Sequence, residues 1–151
     1  MPNIEFLQPI ADRVIVECLA SGLARLEPQD RIFYLIWSHG ALLENGGHSS
    51  FFYNSGADHY LETIAALEDL GLRAYAEFLR RVAAMLFDGD VPRDITARNE
   101  IIVGSHKDNL GQEDEIESID REFSRLGGWD TSLDALEEWY RSPEKRNARR
   151  A

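Results

Sequence analysis

Cysteine is nearly absent from this chain, and its single instance, Cys18, excludes an internal disulfide. A fold without a covalent staple fits a reducing compartment, so the expected home is the cytosol. Proline is also scarce, with 5 in 151 residues. No apolar run approaches the ~20 residues that a bilayer-spanning helix needs. The N-terminal stretch from Met1 to Leu7 has no basic segment followed by a continuous apolar run, so neither signal-peptide export nor membrane embedding is expected. Basic side chains are outnumbered as well, 16 Lys and Arg against 27 Asp and Glu, for a formal net charge of −11.

That imbalance is uneven. Residues 141–151 hold five basic and one acidic side chain, which leaves 11 basic and 26 acidic in residues 1–140, a net of −15. A strongly anionic body repels nucleic acid and anionic lipid and speeds encounter with basic partners. Direct nucleic-acid binding by the body and membrane association are therefore not expected. With 44% hydrophobic residues the chain has apolar material for one compact domain, read as residues 1–142, followed by a basic tail over 143–151. The tail can touch phosphates or simply fray as termini do.

Apolar spacing divides the chain into helices. A first helix is expected over 11–26, with Ile15, Cys18, Leu19, Leu23 and Leu26 on one stripe. The second, over 29–45, carries Ile32, Leu35, Ile36, Leu42 and Leu43 on one face and Phe33 and Trp37 on another, which predicts a central helix buried on two sides. Asp58 can cap a helix that runs to Leu70 with Tyr60, Leu61, Ile64 and Leu67 inward, and Gly71 ends it. A further helix over 72–87 completes a hairpin. Pro92 forbids helix through the turn-rich 88–94. Asp94 can cap a short helix toward Ile101 and Ile102, although Glu100 to Gly104 reads equally as a strand. Residues 104–112 read as a polar loop. An amphipathic helix over 113–126 follows, with Ile116, Ile119, Phe123 and Leu126 inward, and Gly127 and Gly128 stop it. Asp130 or Thr131 can cap a last helix with Leu133, Leu136 and Tyr140 inward, ending near Pro143. The sum is a single all-α domain of six to eight helices, built around the second helix and the hairpin of residues 58–87.

The densest local signal lies between Trp37 and Gly56. A helix ends near Asn45, Gly46 offers the positive-φ backbone that closes it, and Gly47 extends the turn. Ser49 or Ser50 can cap the next short helix, whose Phe51, Phe52 and Tyr53 lock the corner. Glu44 and Asn45 at the helix end can tie down loop N–H groups. The run Glu44-Asn45-Gly46-Gly47 followed by Phe51, Phe52 and Asn54 resembles the signature of a bacterial domain-of-unknown-function family whose best-known relatives are DNA mimics. The similarity extends more loosely from Ile32 to about Leu136, and Ile119-Asp120-Arg121-Glu122-Phe123 is similar to a later element of that family. The chain departs from the pattern at His48, where an aromatic or aliphatic residue is usual, and at Ser50, where Gln is common. The resemblance implies an acidic protein that occupies a DNA-binding surface, and it suggests a homodimer. Exposed aromatic area from Phe51, Phe52, Tyr53 or Trp139 could form the dimer contact, with core burial the competing reading.

The acidic residues themselves fall in rows. Glu113, Glu117 and Asp120 line one flank of an apolar stripe, Glu115 and Glu122 line the other, and Asp114 and Asp108 extend the cluster. Asp130, Asp134, Glu137 and Glu138 repeat the arrangement one helix later. Side chains three or four apart lie roughly 5–6 Å apart and like charges there cost about 0.2–0.5 kcal/mol per pair. Such rows approach the density of backbone phosphates, spaced ~3.4 Å along a strand, and could engage a protein built to grip DNA, such as a helix-turn-helix regulator. A solvated helical face that keeps the protein soluble is the plainer reading.

Two other classes stand beside mimicry. An immunity or antitoxin-like protein neutralising a basic nuclease toxin would use the same electrostatics. A small metal-dependent hydrolase would use Glu44, His48 and His59, with Asp58 adjacent, but their spacing matches no known metal motif, and capping or solvent exposure accounts for both histidines. Gly46-Gly47 and Gly127-Gly128 lack the Lys of a phosphate loop, and Cys18 reads as a small core residue. No cofactor, metal or catalytic residue is expected.

Overall fold

Asn3 starts the first helix by accepting the Phe6 N–H on its side-chain oxygen at 3.1 Å. In the computed structural model, which describes residues 1–106 and 110–144, α1 runs Ile4–Ser21 and turns Leu7, Ala11, Val14 and Cys18 inward. It therefore begins well before residue 11, because Pro9 is accommodated within the helix rather than delaying it. It also ends sooner than expected, at Gly22 with φ 87°. The stripe shifts accordingly: Leu19 is 80% exposed, and Leu26 is buried from the connecting segment.

The central helix α2, Pro28–Tyr53, buries Phe33, Leu35, Ile36, His39 and Leu43 before a kink at Gly46 and Gly47, and His48, Phe51 and Phe52 after it. It packs against α1, α3 (Tyr60–Asp69), α5 (Ile95–His106), α6 (Leu110–Arg125) and α7 (Gly128–Arg141), and its His39, His48 and Phe52 rings meet Tyr75, Phe78 and Phe87 of the helix Arg73–Phe87. α4 (Arg73–Phe87) packs on α3, with Gly71 at φ 79° between them, as the hairpin expectation required. The described residues thus form seven α-helices and two 3-10 turns with no strand, an all-α fold.

Local expectations were revised where tertiary contacts decide. Residues 100–104 are helical, capped as expected by Asp94, whose Oδ2 accepts the Ala97 N–H at 3.0 Å. The polar stretch 104–112 is not a plain loop, since α5 continues to His106 and α6 starts at Leu110. Asp58 lies inside the 3-10 turn Ser55–His59 and holds an arginine instead of capping α3. Asp130 and Thr131 lie within α7, whose N-cap is Gly127 in a left-handed conformation. Leu61 and Leu126, expected inward, are 65% and 43% exposed. Phe51, Phe52 and Trp139 belong to the core, so they offer no aromatic surface for a dimer.

Two polar devices fix the helices around α2. The buried Asp30 takes Arg13 in a fork at 2.9 and 3.2 Å and accepts the Tyr140 hydroxyl, tying α1, α2 and α7 together. Burial, reinforced by the Asp30 charge, raises the Tyr140 pKa above the ordinary phenol range. On the other side Arg98, fully buried in α5, donates to the carbonyls of Phe52, Asn54, Pro92 and Arg93 and to the Asp58 carboxylate, at 2.6–3.1 Å. Gly40 lets the Trp129 ring lie directly on α2, where a Cβ would sit 1.9 Å from Cε3.

Candidate functional site

The kink in α2 is built by two glycines with different duties. Gly46 has φ −164°, extended backbone that any residue adopts, whereas Gly47 has φ 72° and ψ −167°, a region open essentially to glycine alone. The left-handed position is therefore Gly47, not Gly46. Gly47 also lets a carboxylate approach: a Cβ there would lie 2.3 Å from Asp120 Oδ2. Asp120 Oδ1 accepts the His48 backbone N–H at 2.8 Å and lies 2.6 Å from His48 Nδ1. The freed N–H after the kink is thus capped from α6 rather than by Ser49 or Ser50. Asn54 closes the segment, its amide donating to the Ser50 carbonyl at 2.6 Å. Glu44 and Asn45 are exposed and tie down no N–H among the described residues.

His48 is fully buried, so of the capping or solvent exposure expected for it, exposure does not hold. Because an ionised carboxylate only accepts, Nδ1 carries the proton toward Asp120. Nε2 has no partner among the described residues. His39, one turn-pair earlier on the inward stripe of Leu35 and Leu43, is also fully buried, with neither ring nitrogen bonded. Both imidazoles meet the Phe123 ring edge-on, with centroids 6.1 and 5.9 Å away. Burial, and secondarily the neighbouring His48, lower the His39 pKa to about 3.

That shift carries a sign. The unfolded chain protonates His39 near the ordinary value, ~6.5, while the folded one resists until about 3. The stability His39 confers is therefore complete above the unfolded value and is lost as pH falls from there toward 3. The expected slope from this one group approaches 1.4 kcal/mol per pH unit. Urea unfolding between pH 7 and 4 should show a shallower acid loss in His39→Leu than in the parent chain. Parallel acid limbs would contradict it.

The acidic residues separate into distinct environments. Asp114, Glu115 and Glu117 stand exposed on α6, as do Asp130, Asp134 and Glu138 on α7. Asp120 is drawn back to the corner, its side chain 30% exposed. Glu122 is paired with Arg125 at 2.5 Å. Glu137 accepts the Asn3 N–H and the Arg141 guanidinium, each at 3.0 Å, and these bonds hold its carboxyl below the usual range. Asp108 lies outside the described residues. Glu113, Glu117 and Asp120 do share one feature: they border a groove of about 370 Å³ whose other walls include Tyr53, Leu86, Ile102 and Ile116.

The proposed hydrolase trio is not assembled. His48 turns to Asp120, the His59 carbonyl accepts the Thr63 hydroxyl, and Glu44 borders a cleft with Trp129 and Asp130. Among the described residues no group of three or more His, Cys, Asp and Glu is arranged to hold a metal ion. Nor is any helix of the described residues long and apolar enough to cross a membrane. Residues that sequence reasoning passed over include Arg98, Asp30 and the inward-facing His39. Their signal was a polar residue on an apolar stripe, as in Ile95, Arg98, Ile102.

A kinked central helix, clasped by helices that carry exposed carboxylates, defines a small acidic all-α domain. A family model described as DMP19-like protein matches residues 24–142, and the chain belongs to that family. The match begins after α1 and includes the corner, the groove and both acidic helices. The family name is compatible with a DNA-mimic role. No curated protein and no solved structure matches the chain.

Proposed function

We propose that this chain is a non-catalytic interaction protein that occupies the DNA-binding surface of a basic partner, such as a helix-turn-helix transcription regulator. The observation that supports it is the mounting of α6. Asp114, Glu115 and Glu117 project from a helix pinned by the buried Ile116, Ile119 and Phe123 and by the hold of Asp120 on the corner. The backbone that carries them is anchored before any partner arrives, so binding need order only the side chains. Lys and Arg evolved to meet phosphates would meet carboxylates instead, with charge-assisted hydrogen bonds. Family membership favours the same reading, and a cytosolic homodimer is part of the proposal.

The test is displacement. Chain immobilised at low salt should capture a regulator from the native host, release it on a salt gradient, and compete with that regulator's operator DNA. Because Asp120 serves the corner, the variant to compare is Asp114→Gln/Glu115→Gln/Glu117→Gln. Exposed pairs contribute about 0.2–1 kcal/mol each, so affinity should fall roughly tenfold at low salt, the difference shrinking as salt rises. Unchanged capture at low salt would remove α6 as the mimicking surface. Recovery of a basic nuclease in place of a regulator would turn the reading toward immunity.

A further inference from the structure

We infer that the groove between the α2 corner and α6 is a socket for one arginine side chain of the partner; this deepens the reading just proposed and rests on it. The groove has two unlike walls. Tyr53 and Ser49, from the segment after the kink, with Leu86 and Ile102 from α4 and α5, make a half-apolar trough. Ile116 forms part of the α6 side, where Glu117 and Asp120 stand three residues apart. Residues at that spacing on a helix have Cβ atoms ~5–6 Å apart, so both carboxylates can reach one planar cation.

The chemistry of both walls selects the occupant. A lysine ammonium is strongly hydrated and loses much on leaving water, whereas a guanidinium is weakly hydrated, stacks on aromatic rings and offers a fork of donors to carboxylates. Its three-methylene stem covers apolar surface while the head stays at the charged edge. Asp120 is preset for this task. Its Oδ1 is occupied by the His48 N–H and Nδ1, which fixes the carboxylate plane, and Gly47 is the residue that allows it so near the corner. Gln112 anchors the start of this wall, donating to the Met85 carbonyl at 3.0 Å. The trough therefore differs from the open faces of α6 and α7: it can reward a cation for shape as well as for charge.

Two-dimensional amide NMR of the full chain, titrated with N-acetyl-arginine amide at low salt, reads this directly. Shifts are expected to centre on Ser49, Tyr53, Ile102 and Glu117, with none from the uncharged citrulline analogue and at least threefold weaker ones from the lysine analogue. Ser49→Phe fills the trough yet keeps every carboxylate, and should abolish these shifts and weaken binding of a nine-arginine peptide several-fold. Glu117→Gln, an exposed change that disturbs no packing, should reduce the arginine shifts at least threefold and serves if Ser49→Phe fails to fold. Shifts spread evenly along α6 and α7, an unaffected Glu117→Gln, or equal response to lysine would overturn the socket. If the nine-arginine peptide binds Ser49→Phe and the parent chain alike, the socket fails while the anionic-surface reading stands. If it does not bind the parent chain at all at low salt, that broader reading fails.

Discussion

Arg98→Met is expected to lower the midpoint of thermal unfolding by roughly 10 °C, the largest loss from any single side chain outside the apolar core. All five N–H donors of the guanidinium are used, and their acceptors lie on separate pieces of chain. Phe52 and Asn54 bring carbonyls from the last turn of α2, which helix geometry leaves without intrahelical partners. Pro92 and Arg93 bring two more from the link into α5, and Asp58 supplies the compensating charge. Methionine fills similar space but donates nothing, so it leaves several acceptors and a carboxylate stranded at a cost of about 3–5 kcal/mol. Against a total of about 5–15 kcal/mol that is a large share. For a chain of this size each kcal/mol moves the midpoint by roughly 2–4 °C. Arg98→Lys should recover less than half, because three donors on a point charge cannot reach four carbonyls. Scanning calorimetry decides it, and a midpoint within about 3 °C of the parent would show that the acceptors find other partners.

Why this residue escaped notice in the sequence shows what kind of information a sequence holds. Helices α4 and α6 were legible because their apolar residues recur with the helical period, and Asp94 was legible as a cap because the capping carboxylate and the N–H that donates to it are three residues apart. The limits of α1 were less so, since Pro9 argues locally against helix while the burial of Leu7 and Ala11 in the core overrides it. His48 was misplaced for a stronger reason. Its burial is affordable only because Asp120 arrives from 72 residues away, and no local pattern announces that pairing. Periodicity sets the acidic residues on helical flanks but treats all carboxylates alike. It could not separate Glu117, which faces solvent, from Asp120, which holds the corner, or from Glu137, which is occupied by Asn3 and Arg141. The polar interior is therefore where sequence reasoning ran out: Arg98, Asp30 and His39 sit on inward stripes and are made tolerable by partners distant in the chain or by loss of charge.

Gly47→Ala should destabilise the fold by about 3–5 kcal/mol, far more than Gly46→Ala, although the two glycines are neighbours. Two costs coincide at Gly47. Its backbone at φ 72° and ψ −167° is nearly closed to residues with a Cβ, which accounts for about 1–3 kcal/mol. The new methyl would also lie 2.3–2.9 Å from all three carboxyl atoms of Asp120. Driving Asp120 away removes the cap on the His48 N–H and the only hydrogen-bond partner, among the described residues, of a buried imidazole, at about 1–3 kcal/mol more. At Gly46 the extended φ is unstrained, and a methyl meets the Ser50 side chain, Cβ at 2.9 Å and Oγ at 3.3 Å, so local repacking of about 1 kcal/mol should suffice. The two costs at Gly47 separate in a double-mutant cycle with Asp120→Ala. If the clash is with that carboxylate, the double variant should be more stable than the sum of the single effects by at least about 1 kcal/mol, because the second change removes what the first collides with. Strict additivity would mean the backbone alone makes Gly47 necessary. The same cycle bears on function, because Asp120 joins the corner to α6. A chain in which Gly47→Ala has pushed that carboxylate out should lose the fixed setting of Glu117, and with it affinity for an arginine-rich peptide, even under conditions where it remains folded.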